Sequence, residues 1–375
     1  MSLNLSLDNM KLVVVKVGTT LVSSSTDFLD RKKMGPIVED ISELMQRDIK
    51  VILVSSGAIG AGMGVLGLKT RPKLLPQKQA AAAIGQGKLM HFYKELFNAC
   101  GLRVAQILLT KDDLDERAKY LNARNTLSTL LEYDRIVPIV NENDTVAVDE
   151  IKFGDNDTLS AVVASKMQAD LLVILSNVDG LYDCDPRKSA VPKLIKEVTD
   201  ISADLIEMCG SASAETSVGG MAAKVEAARI ATLSGIGMVL ANGEREHALR
   251  DIFTGSSPYT YFRPRREAIS GRKRWIAFGS APHGSITIDA GAKRALLQDG
   301  RSLLPSGILE VSGKFAVGDT VSIIDEKERE IARGLANYAA DEVRKIKGFR
   351  TDKIMDLLGH KDYDEVVHRD NLVVL

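Results

Sequence analysis

Short apolar runs alternate with longer stretches of helical period along the first two thirds of the chain. Residues 11–17 (Lys-Leu-Val-Val-Val-Lys-Val) read as a central strand, and 51–54, 104–109, 136–140, 171–175 and 237–241 as further strands. Between them Ile37, Ile41, Leu44 and Met45 fall on one face of a helix over 36–48. Helices follow over 77–98, 121–132, 158–168 and 221–233. This alternation predicts a three-layer α/β domain over residues 10–262, an open, mainly parallel sheet with helices on both faces.

The pattern changes at Arg263-Pro264-Arg265-Arg266 and stays basic to Arg272-Lys273-Arg274, which predicts a linker over 263–274. Beyond it, short strands with glycine turns are expected at Ser285 to Asp289, Gly307 to Val311, Asp319 to Ile324 and Glu330 to Leu335. A helix at Ala290 to Gln298 interrupts them, and a mixed tail runs to Leu375. The expectation is a small β-rich domain over 275–375.

Composition narrows the function. A chain of 375 residues has room for two domains, and its 45% hydrophobic and 26% charged residues suit a globular protein. The net charge of −1 gives no general attraction to nucleic acid or membrane. From Trp275 onward there are 14 basic against 16 acidic side chains, a net −2, which argues against RNA as the main partner. Val51 to Leu68 carries no charge and is about long enough to span a bilayer. Its five glycines and two serines divide it instead into a strand and a glycine-rich turn. The N-terminus lacks a basic region followed by a long apolar core, so no secretory signal is expected. Cys100, Cys184 and Cys209 form no CxxC and read as reduced, buried, cytoplasmic thiols. The five histidines are isolated and read as non-catalytic.

Polar and glycine-rich motifs follow the apolar runs, where open α/β sheets bind ligands. Lys16 lies among β-branched residues before Gly18: it is either a phosphate-binding lysine or a strand-edge lysine reaching solvent. Ser55-Ser56-Gly57-Ala58 offers backbone N–H groups to an anion or makes a tight turn. Gly62-Met63-Gly64-Val65-Leu66-Gly67 matches GxGxxG, yet no acid lies between Val51 and Lys94 to hold a ribose, so a dinucleotide site is rejected. There is no GxxxxGK[ST] either. Asn141-Glu142-Asn143-Asp144 and Gly154-Asp155-Asn156-Asp157 exceed what one helix cap needs, and a carboxylate there could hold an amino-acid ammonium. Gly219-Gly220-Met221 with Lys224 opens a helix and suits a nucleotide phosphate, or is a loop with an exposed lysine. Lysines, amides and carboxylates without an evident nucleophile suit phosphoryl transfer.

Taken together these motifs resemble the amino acid kinase family, and within it the glutamate 5-kinases. KVGT, SSGAIGAG, LNARNTL (Leu121 to Leu127), NENDTVAVDEIKFGDND, GLYDCDPR and GGMAAK stand in the family's order. The C-terminal segment resembles the PUA domain that many such kinases carry. The resemblance implies an amino-acid-kinase-like sheet followed by a PUA-like domain. It also implies ATP-dependent phosphorylation of the L-glutamate γ-carboxylate in proline synthesis, with Mg²⁺ carried by ATP and no metal held by the protein alone. It makes Lys16 and Lys224 stabilisers of the transferring phosphoryl group and Asp157 their organiser. Ser56, Asp144 and Asn156 would bind glutamate, supported by Asn141 and Asp155. Lys16, Ser176, Asn177, Val218, Gly219, Gly220, Met221, Ala222, Ala223 and Lys224 would line the ATP site. The family often has Thr-Asp where this chain has Ser176-Asn177, so backbone and hydroxyl groups would carry those contacts.

The resemblance further implies a homo-oligomer, a glutamyl phosphate reductase as partner, and feedback by proline at the glutamate site. Linear inhibition that glutamate does not relieve would exclude that overlap. The chemistry is self-consistent: a γ-carboxyl of pKa about 4.3 is ionised at neutral pH, so the acceptor needs no general base. The alternatives are another kinase of the family, acting on N-acetylglutamate or aspartate, or an RNA-binding protein working through the PUA-like domain. An acetylated substrate has no ammonium, and acid-rich motifs argue against it.

Overall fold

The computed structural model describes residues 5–23, 29–146, 156–184, 191–211, 220–265, 271–278 and 281–375. The chain divides into two compact units, Met1–Asp113 with Ala118–Ala268, and Leu114–Arg117 with Ile269–Leu375.

In the first unit the expected strands form as β1 (Leu12–Val17), β2 (Lys50–Ser55), β3 (Arg103–Leu109), β4 (Ile136–Glu142) and β5 (Leu171–Ser176). Three two-residue strands follow: β6 (Leu181–Tyr182) and β7 (Leu194–Ile195), which make a separate ribbon, and β8 (Glu197–Val198). Then come β9 (Gly237–Asn242) and β10 (Tyr259–Phe262). The main sheet has the order β3-β4-β2-β1-β5-β9-β10-β8. It is parallel from β3 to β9, and β10 is antiparallel to β9.

The helices are α1 (Thr19–Val22), α2 (Arg31–Gln46), α3 (Ala58–Val65), α4 (Leu75–Ala99), α5 (Lys111–Asp115), α6 (Arg117–Glu132), α7 (Asn156–Met167), α8 (Ala203–Ser211), α9 (Met221–Leu233) and α10 (Ala248–Thr254). α2 begins five residues before the expected start because the Asp30 side chain caps it, accepting from Lys32 N–H at 3.0 Å. Side-chain alternation divides β1 between two layers. Val13, Val15 and Val17 join the core that includes Ile37 and Ile41 of α2 and Leu89 and Tyr93 of α4. Lys16 therefore points to the opposite face, where α7 packs against β1 and α9 packs against α7.

Several sequence expectations change. The glycine-rich stretch after β2 is a turn only at Ser56-Gly57, where Gly57 takes φ +110, and Ala58–Val65 is helical. Its glycines serve packing. A Cβ on Gly62 would fall 1.8 Å from the Ala81 carbonyl oxygen of α4, and one on Gly85 1.8 Å from that of Ala58. Both obstacles are backbone, so the α3–α4 contact tolerates no side chain. Gly62→Ala should cost about 1–3 kcal/mol by overpacking, despite alanine's helix preference of about 1 kcal/mol. The check is the urea midpoint of unfolding; an unshifted midpoint would mean the two helices part freely.

The cysteines also differ from expectation. Cys209 is buried, while Cys100 and Cys184 are half-buried, and all three are free. Burial pushes the Cys100 and Cys209 thiols up. Among the histidines, His247 has a partner distant in sequence: its Nδ1 meets Asp40 Oδ1 at 2.7 Å, tying α10 to α2.

The second unit contains helix α11 (Gly271–Phe278), strand β11 (Gly284–Ile288), helix α12 (Ala290–Leu297) and strands β12 (Ile308–Gly313), β13 (Thr320–Ile324) and β14 (Glu330–Leu335). Helices α13 (Ala340–Ile346) and α14 (Ile354–Leu358) and strand β15 (Leu372–Val374) follow. Its sheet has the order β12-β11-β13-β14-β15 around Ile286, Ile288, Val321, Ile323 and Tyr338. The tail is thus part of the sheet. Residues 271–274, expected in the linker, are helical, and Arg263 is held by a 2.6 Å bond from its Nε to Glu197. No helix among the described residues is long and apolar enough to cross a membrane.

Candidate active site

Three charged side chains meet at one edge of the parallel sheet. Lys16 comes from the end of β1, Asp157 from the first turn of α7, and Lys224 from the first turn of α9. Lys16 Nζ pairs with Asp157 Oδ1, and Lys224 Nζ donates to Asp157 Oδ2 at 2.9 Å. Lys16 is 5% exposed, Lys224 7% and Asp157 0%. Burial by itself would raise the Asp157 carboxyl; the two ammonium groups outweigh it and hold it below the usual carboxylate range. Two ammonium groups thus converge on one carboxylate at the start of two helices, a place suited to an anion. Gly18 borders this site. A Cβ there would stand 3.9 Å from Lys16 Nζ and 3.6 Å from the Leu175 oxygen, so the protein's own atoms do not require glycine.

A second cluster is made of carboxamides. The β4 ladder runs on through Asn141 and Glu142, so Asn141 lies on the α4 side with Val137 and Ile139 and is 2% exposed. Asn156 Nδ2 donates to Ser56 Oγ at 2.8 Å and to Asn141 Oδ1 at 3.1 Å. Asn141 Nδ2 donates to Gln86 Oε1 at 2.9 Å. Asp144 is not hydrogen-bonded to this cluster among the described residues. Burial raises its carboxyl to about 6, with the Arg71 guanidinium drawing it partly back.

The remaining expected positions are placed as follows. Ser176, buried, ends β5, and its carbonyl accepts from Gly243 N–H at 2.8 Å; Asn177, exposed, follows it. Gly220 is the N-cap of α9, and Met221, Ala222 and Ala223 form its first turn with Lys224. Asp155, Val218 and Gly219 lie outside the described residues. The structure therefore brings together Lys16, Asp157 and Lys224, and separately Ser56, Asn141 and Asn156.

Sequence reasoning missed three participants. Gln86 could have been noticed as a lone amide on the stripe of Ala82, Leu89 and Tyr93. Arg71, in the loop before α4, carries no such signal. Asp179 accepts from Asn242 Nδ2 at 3.1 Å and Arg245 Nη2 at 3.0 Å, joining the segment after β5 to the end of β9. Only folding makes those three neighbours.

Residues 11–242 match the family model described as the amino acid kinase family. The chain belongs to the amino acid kinase family. Residues 284–358 match the PUA domain. The chain is 50% identical to glutamate 5-kinase from Thermoanaerobacter sp. (strain X514) over 97% of both chains. It is 48% identical to glutamate 5-kinase from Moorella thermoacetica, covering 99% of this chain and 98% of that one. Among solved structures, UMP kinase from Ureaplasma parvum is 16% identical, with a TM-score of 0.46 over 68% of this chain and 99% of its own. Within the amino acid kinase family, the large parallel sheet and the charged cluster at its edge occupy the matched region.

Proposed function

We propose that this chain transfers the γ-phosphoryl group of ATP to the γ-carboxylate of L-glutamate, giving L-glutamyl 5-phosphate for proline synthesis. The observation that carries this is the buried Lys16–Asp157–Lys224 cluster, two ammonium groups converging on one carboxylate at the sheet edge, in a chain half identical to glutamate 5-kinases over nearly its whole length.

The mechanism follows from charge. The acceptor oxygen is already ionised, so no residue needs to remove a proton. Negative charge grows on the equatorial oxygens of the passing phosphoryl group, and the Lys16 and Lys224 ammonium groups neutralise it. Asp157 holds both lysines at fixed positions, so little reorganisation is needed when that charge appears. Both Asp157 oxygens are engaged by lysines, which makes it an unsuitable metal ligand; a Mg²⁺ carried with the ATP phosphates would supply further charge neutralisation. Ser176, Asn177 and the turn from Gly220 to Ala223 lie on the nucleotide side. Ser56, Asn156 and Asp144 take the glutamate.

Asp144 makes glutamate binding depend on pH. Its carboxyl, raised to about 6 in the free protein, must be ionised to hold an ammonium. Below that pH kcat/KM for glutamate should fall about tenfold per unit, while kcat at saturating glutamate stays nearly flat, as initial rates across pH would show. Asp144→Ala should raise glutamate KM and abolish this dependence. The linkage has a defined sign. A raised carboxyl stabilises the free fold below its unfolded value near 4 and loses that contribution as pH rises through about 6. Bound ammonium reverses this by favouring the ionised form. A flat profile with unchanged KM in Asp144→Ala would place the ammonium elsewhere.

The reaction is tested by ADP release from ATP-Mg²⁺ with L-glutamate and hydroxylamine, which traps an acyl phosphate. Glutamate-dependent hydroxamate supports the reading. Turnover only with N-acetylglutamate or aspartate overturns the substrate assignment.

A further inference from the structure

One glutamine interrupts the apolar stripe of α4. Ala82, Leu89 and Tyr93 are buried, and Gln86 shares their face, four residues after Ala82 and three before Leu89. Its Oε1 accepts from Asn141, while its Nε2 is buried with no hydrogen-bond partner. A half-satisfied buried amide is less favourable than an apolar side chain of the same size, so packing does not explain Gln86.

Its partners do. The Glu142 backbone N–H donates to Asn141 Oδ1 at 2.9 Å. A backbone N–H can only donate, so it fixes which end of the Asn141 carboxamide faces it. Asn141 then presents Nδ2 to Gln86, which must answer with its oxygen. Asn156 must in turn offer Nδ2 to Asn141 Oδ1, and its second N–H goes to Ser56 Oγ. Both Asn156 hydrogens are thereby used. The atom left over is Asn156 Oδ1, buried with no partner and able only to accept. An ammonium group is the complement of such an atom.

We infer that Gln86 is a positioning residue for the amino-acid substrate: through Asn141 it holds Asn156 with Oδ1 turned to receive the substrate ammonium. The inference rests on the glutamate reading of this site. Gln86 acts through two other side chains and touches no reacting atom. Without its oxygen, Asn141 Nδ2 loses its acceptor and the carboxamide is held at one end only, by the Glu142 N–H. A loosened Asn141 no longer fixes Asn156, which is then free to present N–H groups to a cation. Phosphoryl transfer by the lysine cluster is left intact.

Steady-state kinetics of the full chain with Gln86→Met and Gln86→Glu tests this. Gln86→Met should raise glutamate KM about tenfold, the scale of one hydrogen bond, with kcat and ATP KM within about twofold. Gln86→Glu, ionised or protonated, still offers Asn141 an oxygen and should keep glutamate KM within about threefold. Gln86→Ala carries the same expectation as the methionine variant and replaces it if that variant fails to fold. An unchanged glutamate KM in the methionine variant overturns the inference. So does a joint loss in kcat and both KM values, which marks a merely structural role, or a glutamate variant as impaired as the methionine one. If the unaltered protein turns over with glutamate and the variants behave in one of these ways, the inference alone fails. If the unaltered protein shows no glutamate-dependent turnover, the glutamate reading fails and takes the inference with it.

Discussion

Replacing Lys16 or Lys224 by alanine should lower kcat about 10²–10³-fold, the scale of removing one donor aimed at transition-state charge. The reason is geometric. Each ammonium is almost fully buried and bound to a different oxygen of one carboxylate, so neither lysine can shift to cover for the other. Each alanine variant also removes one positive charge from the cluster and, with it, part of the attraction it would offer ATP phosphates. Glutamate KM should change much less than kcat, because the carboxamide proposed to take glutamate is held by Ser56 and Asn141 and not by the lysines. Hydroxamate production at saturating substrates measures the effect. A kcat near that of the unaltered protein would remove that lysine from the mechanism.

Asp157→Ala should act on stability as strongly as on rate. It removes the carboxylate that both buried ammonium groups share, and breaking a buried pair this way costs about 3–5 kcal/mol. The loss should appear as a lowered urea midpoint for the first unit. Sulfate or ATP should restore more stability to the variant than to the unaltered protein, because an anion can take the place of the missing carboxylate. The pH dependence follows from the lowered Asp157 carboxyl. Its contribution is full above the unfolded value near 4 and is lost as pH falls through the depressed folded value. A variant with unaltered stability and no anion response would show that the three charges are independent.

The parallel strands and the long helices were legible because burial on both sides of a sheet demands apolar runs that few other structures use. β6, β7, β8 and β10 were not, since strands of two to four residues are too short to show a period. β15 was hidden for a related reason: three residues have no period, and only the partner strand β14 identifies them. Gly62 stood in a GxGxxG match because sequence records the absence of a side chain and not what fills its place. In the structure, backbone fills it.

The sequence by itself determined which chemistries were available. It held two lysines at strand and helix ends, two clusters of carboxamides and carboxylates, and no paired histidines or reactive thiols to suggest another reaction. The tertiary structure decided which of these meet. Alternation along β1 turned Lys16 toward the α7 layer, and the starts of α7 and α9 at the same sheet edge delivered Asp157 and Lys224 to it. The α4 layer placed Gln86 beside Asn141, 55 residues away in the chain. Such pairings depend on which face of a sheet each layer covers. That choice is made by the packing of whole elements, and no local stretch of sequence contains it.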